Sequence, residues 1–267
     1  FKQKTAYEIV DCDWSSDVCS SDLKPNAAVT LQAPMGGPQA ARVESETFAD
    51  GVWYLRGTPD PNSQLVEFKD FTVIVESSVT EGRALANIAE AKRLAPGKPV
   101  RYHVNTHHHS DHSAGVRAFV AEGSTIVTHV MNQKFYATVL SAPHTLDNDT
   151  YSKNPKKANF IYVKDRGKYV ITDGTRTMEI YHVDNGHASN LLMSYLPKEK
   201  LLAEPDAFTP PPQAGTPLIA PAVPAAKALY DNIQRLKLDV QVIAPFHGNR
   251  TADVAELARA GGVTATR

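Results

Sequence analysis

Strands, a helix, more strands, and then strands and helices again predict an α/β chain: two β-sheets packed face to face with helices outside. Two further observations support this. Val100 to Asn105 reads as a short buried strand and Ser113 to Glu122 as a helix, so the polar stretch between them sits on a strand-to-helix turn, where α/β proteins present chemistry. The chain has 267 residues, 42% hydrophobic and 21% charged, which suits a globular protein with a sizeable core.

The elements are expected in the following order. Residues 1–23 are set aside. Read back through the genetic code, Lys2 to Ile9 and Asp13 to Leu23 resemble synthetic adapters used in short-read DNA sequencing, separated by a gap that fits an index. The other reading is a natural polar extension, even one closed by a Cys12–Cys19 disulfide, and finding these codons in frame in source DNA would restore it. If the segment is an artefact, the remaining chain has no cysteine, and the natural N-terminus with any signal peptide lies out of view. The compartment is therefore left open, periplasmic or secreted included. Residues 24–42 are rich in Pro, Gly and Ala and read as a linker or lead-in, with order beginning near Val43.

Phe48 to Leu55, Gln64 to Phe68 and Phe71 to Glu76 read as strands, the last two joined as a hairpin by Lys69-Asp70. Ser78-x-x-Glu81 reads as a capping box for a helix whose Ala84, Ile88, Ala91 and Ala95 recur at helical spacing until Pro96-Gly97. After the Val100 to Asn105 strand come a helix from Ala114 to Ala121, a strand from Ser124 to Thr128, and a helix from Asn132 to Leu140. Ser141 to Asn159 reads as a long polar loop beside or over the site. Strands follow at Phe160 to Val163, Tyr169 to Ile171, Met178 to Val183, Leu191 to Leu196 and Leu201 to Glu204. A proline-rich loop, Thr209 to Pro224, precedes a helix marked by Leu229, Ile233 and Leu236; then come strand Val240 to Ala244 and a helix from Thr251 that closes at Gly261-Gly262.

Thr106-His107-His108-His109-Ser110-Asp111-His112 places four imidazoles and a carboxylate within seven residues. Side chains two apart in an extended segment point the same way, so His107 and His109 can share one metal ion. Asp111 and His112, where the chain bends into the helix, can reach a second. Imidazoles with a hard oxygen ligand and no thiolate suit Zn²⁺ and permit Fe or Mn.

A metal pair needs further ligands from the ends of other strands. His187, after a glycine and before a strand, is the candidate third ligand of the first ion, with His182 its rival. Asp206, directly after a strand, is placed to bridge two ions, with Glu204 the alternative. His247 precedes Gly248, which lets backbone come close to the site. His103, His108, His129, His144 and His182 read as structural or solvent-facing. Asn185, Asn249 and Tyr181 are candidates to hydrogen-bond a developing oxyanion.

With His107, His109, Asp111, His112, His187, Asp206 and His247 in that order, the sequence resembles the metallo-β-lactamase-fold hydrolases from about Val43 to Gly262. The segments around Tyr195 to Lys200 and Asp206 to Pro212 are similar to those of a bacterial branch usually labelled only as metallo-hydrolases. The resemblance implies one domain over residues 43–267, a four-layer αβ/βα sandwich with its site at one edge. It implies two Zn²⁺ ions: His107, His109 and His187 on the first, Asp111, His112 and His247 on the second, Asp206 bridging. Asp111 would orient the attacking hydroxide and pass a proton to the leaving group. Members that open β-lactams usually lack a bridging aspartate, so Asp206 tilts the expectation towards esters, thioesters, lactones and related bonds of small molecules. A β-lactamase, a mononuclear iron enzyme that oxidises persulfides, and a binding protein without catalysis are the alternatives. The formal charge of −1 and the absence of a separate clamp domain argue against a nucleic-acid partner, and no apolar run is long enough to span a bilayer.

Overall fold

The computed structural model describes residues 41–58, 60–145, 148–216 and 222–263, within a compact unit that runs from Ala40 to Arg267. The expectations for residues 1–23 and for most of the lead-in fall outside them.

The first sheet has seven strands in sequence order: β1 (Arg42–Ala49), β2 (Val52–Thr58), β3 (Ser63–Glu67), β4 (Thr72–Val75), β5 (Val100–Val104), β6 (Thr125–His129) and β7 (Asn159–Val163). Pairing is antiparallel from β1 to β4 and parallel from β4 to β7. The second sheet is ordered β12-β11-β10-β9-β8, from β8 (Lys168–Thr172), β9 (Thr177–His182), β10 (Leu192–Leu196), β11 (Leu201–Glu204) and β12 (Val242–Pro245), with only the β11–β12 pair parallel.

Period-two alternation sorts the strand side chains into layers. Val52, Tyr54, Val66, Val73 and Val75 point inward and pack with Ile171, Met178, Ile180, Leu192 and Leu201 of the second sheet. Leu55, Leu65 and Ile74 point outward, under α1 (Glu81–Leu94), α3 (Val116–Glu122) and α4 (Gln133–Ser141). On the far side Tyr181, Met193, Leu202 and Ile243 pack under α6 (Pro224–Leu236) and α7 (Val254–Ala260). The result is the expected four-layer arrangement of helices, sheet, sheet and helices.

Some local expectations are corrected. Phe48 to Leu55 is not one strand: the chain folds back at Asp50-Gly51, and Ala49 pairs with Val52. An Asp-Gly pair between alternating hydrophobics is a hairpin signal, and Gly51 takes φ 67° there. Ser78 does not cap α1. It sits at φ 68° with its hydroxyl turned towards Asn87 and Ser63, and Thr80 is the cap, accepting from Arg83 N at 3.2 Å. The helix after the histidine cluster is split at Gly115 into α2 (Ser110–Ser113) and α3. A Cβ at Gly115 would stand 2.3 Å from the Ser77 carbonyl oxygen, so only glycine lets the cluster's helix seat against the end of β4. The Ser141 to Asn159 loop includes a single turn, α5 (Thr150–Lys153).

Candidate metal centre

The parallel strands β5 and β6 end at the same edge of the sandwich as β9, β11 and β12, and the predicted residues follow those ends. They fall into two neighbouring groups. His107, His109 and His187 form one; Asp111, His112, Asp206 and His247 form the other; within each group the ligand atoms lie within 4.8 Å of one another. In the first, His187 Nε2 is 3.1 Å from His109 Nδ1. In the second, His247 Nε2 is 3.1 Å from His112 Nε2, and Asp111 Oδ2 lies 3.2 Å from His112 Nε2 and 3.5 Å from His247 Nε2. Asp206 stands between the groups, its Oδ2 3.4 Å from His107 Nε2, 3.6 Å from His187 Nε2 and 3.1 Å from His112 Nε2, its Oδ1 3.2 Å from His247 Nε2.

The cluster turn is braced from beneath by Asn105. Its Nδ2 donates to the carbonyls of His107 (2.8 Å) and His112 (2.9 Å), while its Oδ1 accepts from Thr128 Oγ1 (3.0 Å) and Tyr136 Oη (2.6 Å). Glu76, at the end of β4, accepts from Thr106 N at 3.2 Å and contacts His112 Nδ1 with its other oxygen. Asp60 Oδ2 lies 2.5 Å from His247 Nδ1, and Asn62 Nδ2 ties down the same loop through the carbonyls of Phe246 (2.9 Å) and Gly248 (2.8 Å). Carboxylates behind imidazoles fix the ring tautomer and leave Nε2 facing the centre. Sequence reasoning missed Asn105, Glu76, Asp60 and Asn62. A polar residue directly after an apolar strand was the available signal for Glu76 and Asn105; nothing local marks the other two.

The fields of the two groups differ. Burial works against a charge on His112, but Glu76 and Asp206 overcome it and hold the ring up to about 11; Asp206 and then Asp60 hold His247 up to about 10. Burial and the His112 charge push His107 down to about 2, Asp206 opposing. Burial would raise Asp206, yet His112 and His247 keep it well below the usual carboxylate range. The second group thus favours positive charge on its rings, whereas His107 and His109 of the first are pushed towards their neutral forms, chiefly by burial. His107 Nε2 and Asp206 Oδ2 are buried and make no hydrogen bond within the protein. Orphaned donors that converge, in a set of imidazoles and carboxylates, fit metal ions.

The two rival ligands, Glu204 and His182, make contacts of their own. Glu204 is fully buried, and its Oε2 accepts from Ala207 N at 2.8 Å, bracing the turn that presents Asp206. His182 accepts from Arg166 N at 2.7 Å and contacts the Ser189 carbonyl with Nε2 at 2.9 Å. His182, His129 and Asp165 make a third grouping, but His129 Nδ1 accepts from Met131 N, the wrong tautomer for a metal on Nε2. Asn185 shapes the turn before its strand: its Oδ1 accepts from His187 N at 2.7 Å and Ala188 N at 3.1 Å. Tyr181 packs beneath the outer helices and bonds Glu179 at 2.6 Å, away from the centre. Asn249 is exposed and lines a cleft of about 410 Å³ with Arg42, Arg56, Asp60 and Asn62.

Of the two long loops, the described part of Thr209 to Pro224 borders the centre. Thr209 packs against Gly248, whose φ of 109° requires glycine, and the Pro211 carbonyl accepts from Arg250 at 2.6 Å. The described part of Ser141 to Asn159 makes contacts with the outer helices: Asp149 pairs with Arg117, and Thr150 N donates to Glu81 at 2.6 Å.

The sequence model of the metallo-beta-lactamase superfamily matches residues 56–247, from β2 to the last histidine of the centre. The chain belongs to this superfamily. Its members are generally hydrolases and bind metal ions, often zinc. Solved metallo-beta-lactamases share the fold. One from Hirschia baltica is 19% identical, covering 82% of this chain and 96% of that one with a TM-score of 0.60. FIM-1 from Pseudomonas aeruginosa, in a mono-zinc form, is 18% identical with coverage of 85% and 96% and a TM-score of 0.62. A curated yeast protein, alkyl/aryl-sulfatase BDS1 of Saccharomyces cerevisiae, is 34% identical over 73 residues, which are 27% of this chain and 11% of that protein.

Proposed function

We propose that this superfamily hydrolase uses a dinuclear metal centre, best suited to zinc, to cleave an ester, thioester, lactone or related bond of a small molecule. The observation that carries this reading is the placement of Asp206 Oδ2 within 3.6 Å of ring nitrogens from both histidine groups. His107, His109 and His187 would hold one ion, Asp111, His112 and His247 the other, and Asp206 would be shared. Metal ions there supply charge that lowers the pKa of water and polarises the scissile bond.

The chain's own residues do the rest. His107 and His112 are buried, and Asp206, its side chain 13% exposed, is held between them, so little reorganisation accompanies the reaction. Asp111, with its side chain 41% exposed, is the reachable carboxylate. It orients the attacking water, accepts its proton and passes it to the leaving group as water's oxygen bonds to the electrophilic centre and the old bond breaks. The yeast relative adds sulfate esters to the candidate substrates.

Zinc-loaded protein should be screened against thioester, lactone, carboxylic ester, phosphodiester, sulfate ester and β-lactam reporters. Turnover of at least one ester-type reporter, lost on chelation, supports the reading. One iron per chain with no hydrolysis supports oxidative chemistry, and failure to bind metal supports a binding role.

A further inference from the structure

An apolar step stands beside the first histidine group. Met131, 56% exposed, lies in the turn Val130–Asn132 that leads directly into α4, and Phe135, 36% exposed, lies in the first turn of α4. The Phe135 ring meets that of His108 at 5.8 Å, and His108 meets His109 at 5.1 Å. An exposed aromatic ring thus stands one ring away from a candidate metal ligand. Leu85, Val170 and Val223, the other large exposed hydrophobics among the described residues, stand singly on α1, on β8 and ahead of α6.

The step is held in place. Asn190, 3% exposed, donates from Nδ2 to His108 Nδ1 at 2.8 Å and to Asn132 Oδ1, joining the start of α4 to the cluster turn. The same strand end is tied to the cluster by Leu192 N, which donates to the Thr106 carbonyl at 2.8 Å. Two apolar side chains are far too small a patch for a protein partner, which needs about 800 Å² a side. They match a phenyl ring or a short alkyl chain.

We propose that Met131, Phe135 and the His108 ring form a subsite for the apolar arm, aryl or alkyl, of the substrate whose scissile group sits between the two histidine groups. This rests on the dinuclear reading and narrows the substrate to molecules with such an arm on the His109 side.

Hydroxamates test it, because one end binds metal and the other can be varied. Acetohydroxamate and 3-phenylpropanohydroxamate are titrated into zinc-loaded wild type, Phe135→Ala and Met131→Ser. In wild type the phenyl arm should tighten binding on the order of tenfold. That ratio should fall towards one in Phe135→Ala and partway in Met131→Ser. An equal ratio in all three proteins, or no tightening in wild type, overturns the subsite while leaving the metal centre standing. If acetohydroxamate does not bind zinc-loaded wild type at all, the dinuclear reading falls and the subsite with it. Both residues are exposed, so the variants should fold; matching circular dichroism checks this.

Discussion

One oxygen of Asp206 faces both histidine groups: Oδ2 stands 3.4 Å from His107 Nε2 and 3.1 Å from His112 Nε2. Both carboxylate oxygens approach the second group, since Oδ1 lies 3.2 Å from His247 Nε2. Asp206→Asn should therefore weaken the second ion more than the first. Zinc titrations read by competing chelators check this, and equal loss at both would show that Asp206 does not bridge.

Glu76 braces His112 and the cluster turn at once. Outer contacts of this kind are worth about 10–100-fold in metal affinity. Glu76→Ala should cost that much at the second group, with Glu76→Gln recovering part because it still accepts from Thr106 N. An affinity unchanged in both variants would remove Glu76 from the centre's support.

Proton release should separate the two groups. Without metal, His112 is held up to about 11 by Glu76 and Asp206 against burial, and His247 up to about 10 by Asp206 and Asp60, so at pH 7 both rings carry protons. His107 is pushed down to about 2 and is already bare. A metal ion entering the second group must displace protons, and its affinity should keep rising with pH above neutrality. Titration calorimetry in buffers of different ionisation enthalpy should find more protons released at the second group than at the first. Equal release would contradict the assignment.

Asp149 and Arg117 clamp the Ser141 to Asn159 loop to the outer helices, and Arg117 holds the Asp149 carboxyl well below its ordinary value. A depressed folded-state pKa gives stability that is full above the unfolded value, about 3.9, and lost as pH falls towards the folded value. Asp149→Asn should cost about 3 kcal/mol at pH 7. Its gap from wild type in denaturant melts should narrow only below about pH 4. A gap constant from pH 7 to pH 2 would show that the charge is not what stabilises.

Much of the fold was legible because sheet and helix periodicities are local. Leu201 to Glu204 shows it best: a short apolar run bounded by turns at both ends, observed as β11 with the same limits. The Asp50-Gly51 hairpin was missed although its signal was present, since the residues on both sides of it within Phe48 to Leu55 are apolar and suit a strand. The cap of α1 was misplaced because Ser78 and Thr80 are both good caps, and Ser78 is held in a left-handed turn by distant contacts, its carbonyl accepting from Gly115 N at 3.3 Å and its hydroxyl facing Ser63 and Asn87. The metal candidates stood out because imidazoles and carboxylates followed strand ends. Asp60 and Asn62 did not. Their importance comes from contacts with His247, Phe246 and Gly248 more than 180 residues away, and no window of sequence records that pairing.

Zinc bound per chain at equilibrium, compared between wild type and His109→Ala, tests the dinuclear centre most directly. An open site with three protein ligands cannot lose one cheaply. Wild type should bind two ions, and His109→Ala should lose the first and with it all turnover of whichever reporter the wild type cleaves. Unchanged zinc content and rate in His109→Ala, or a wild type that binds no metal, would contradict the dinuclear centre.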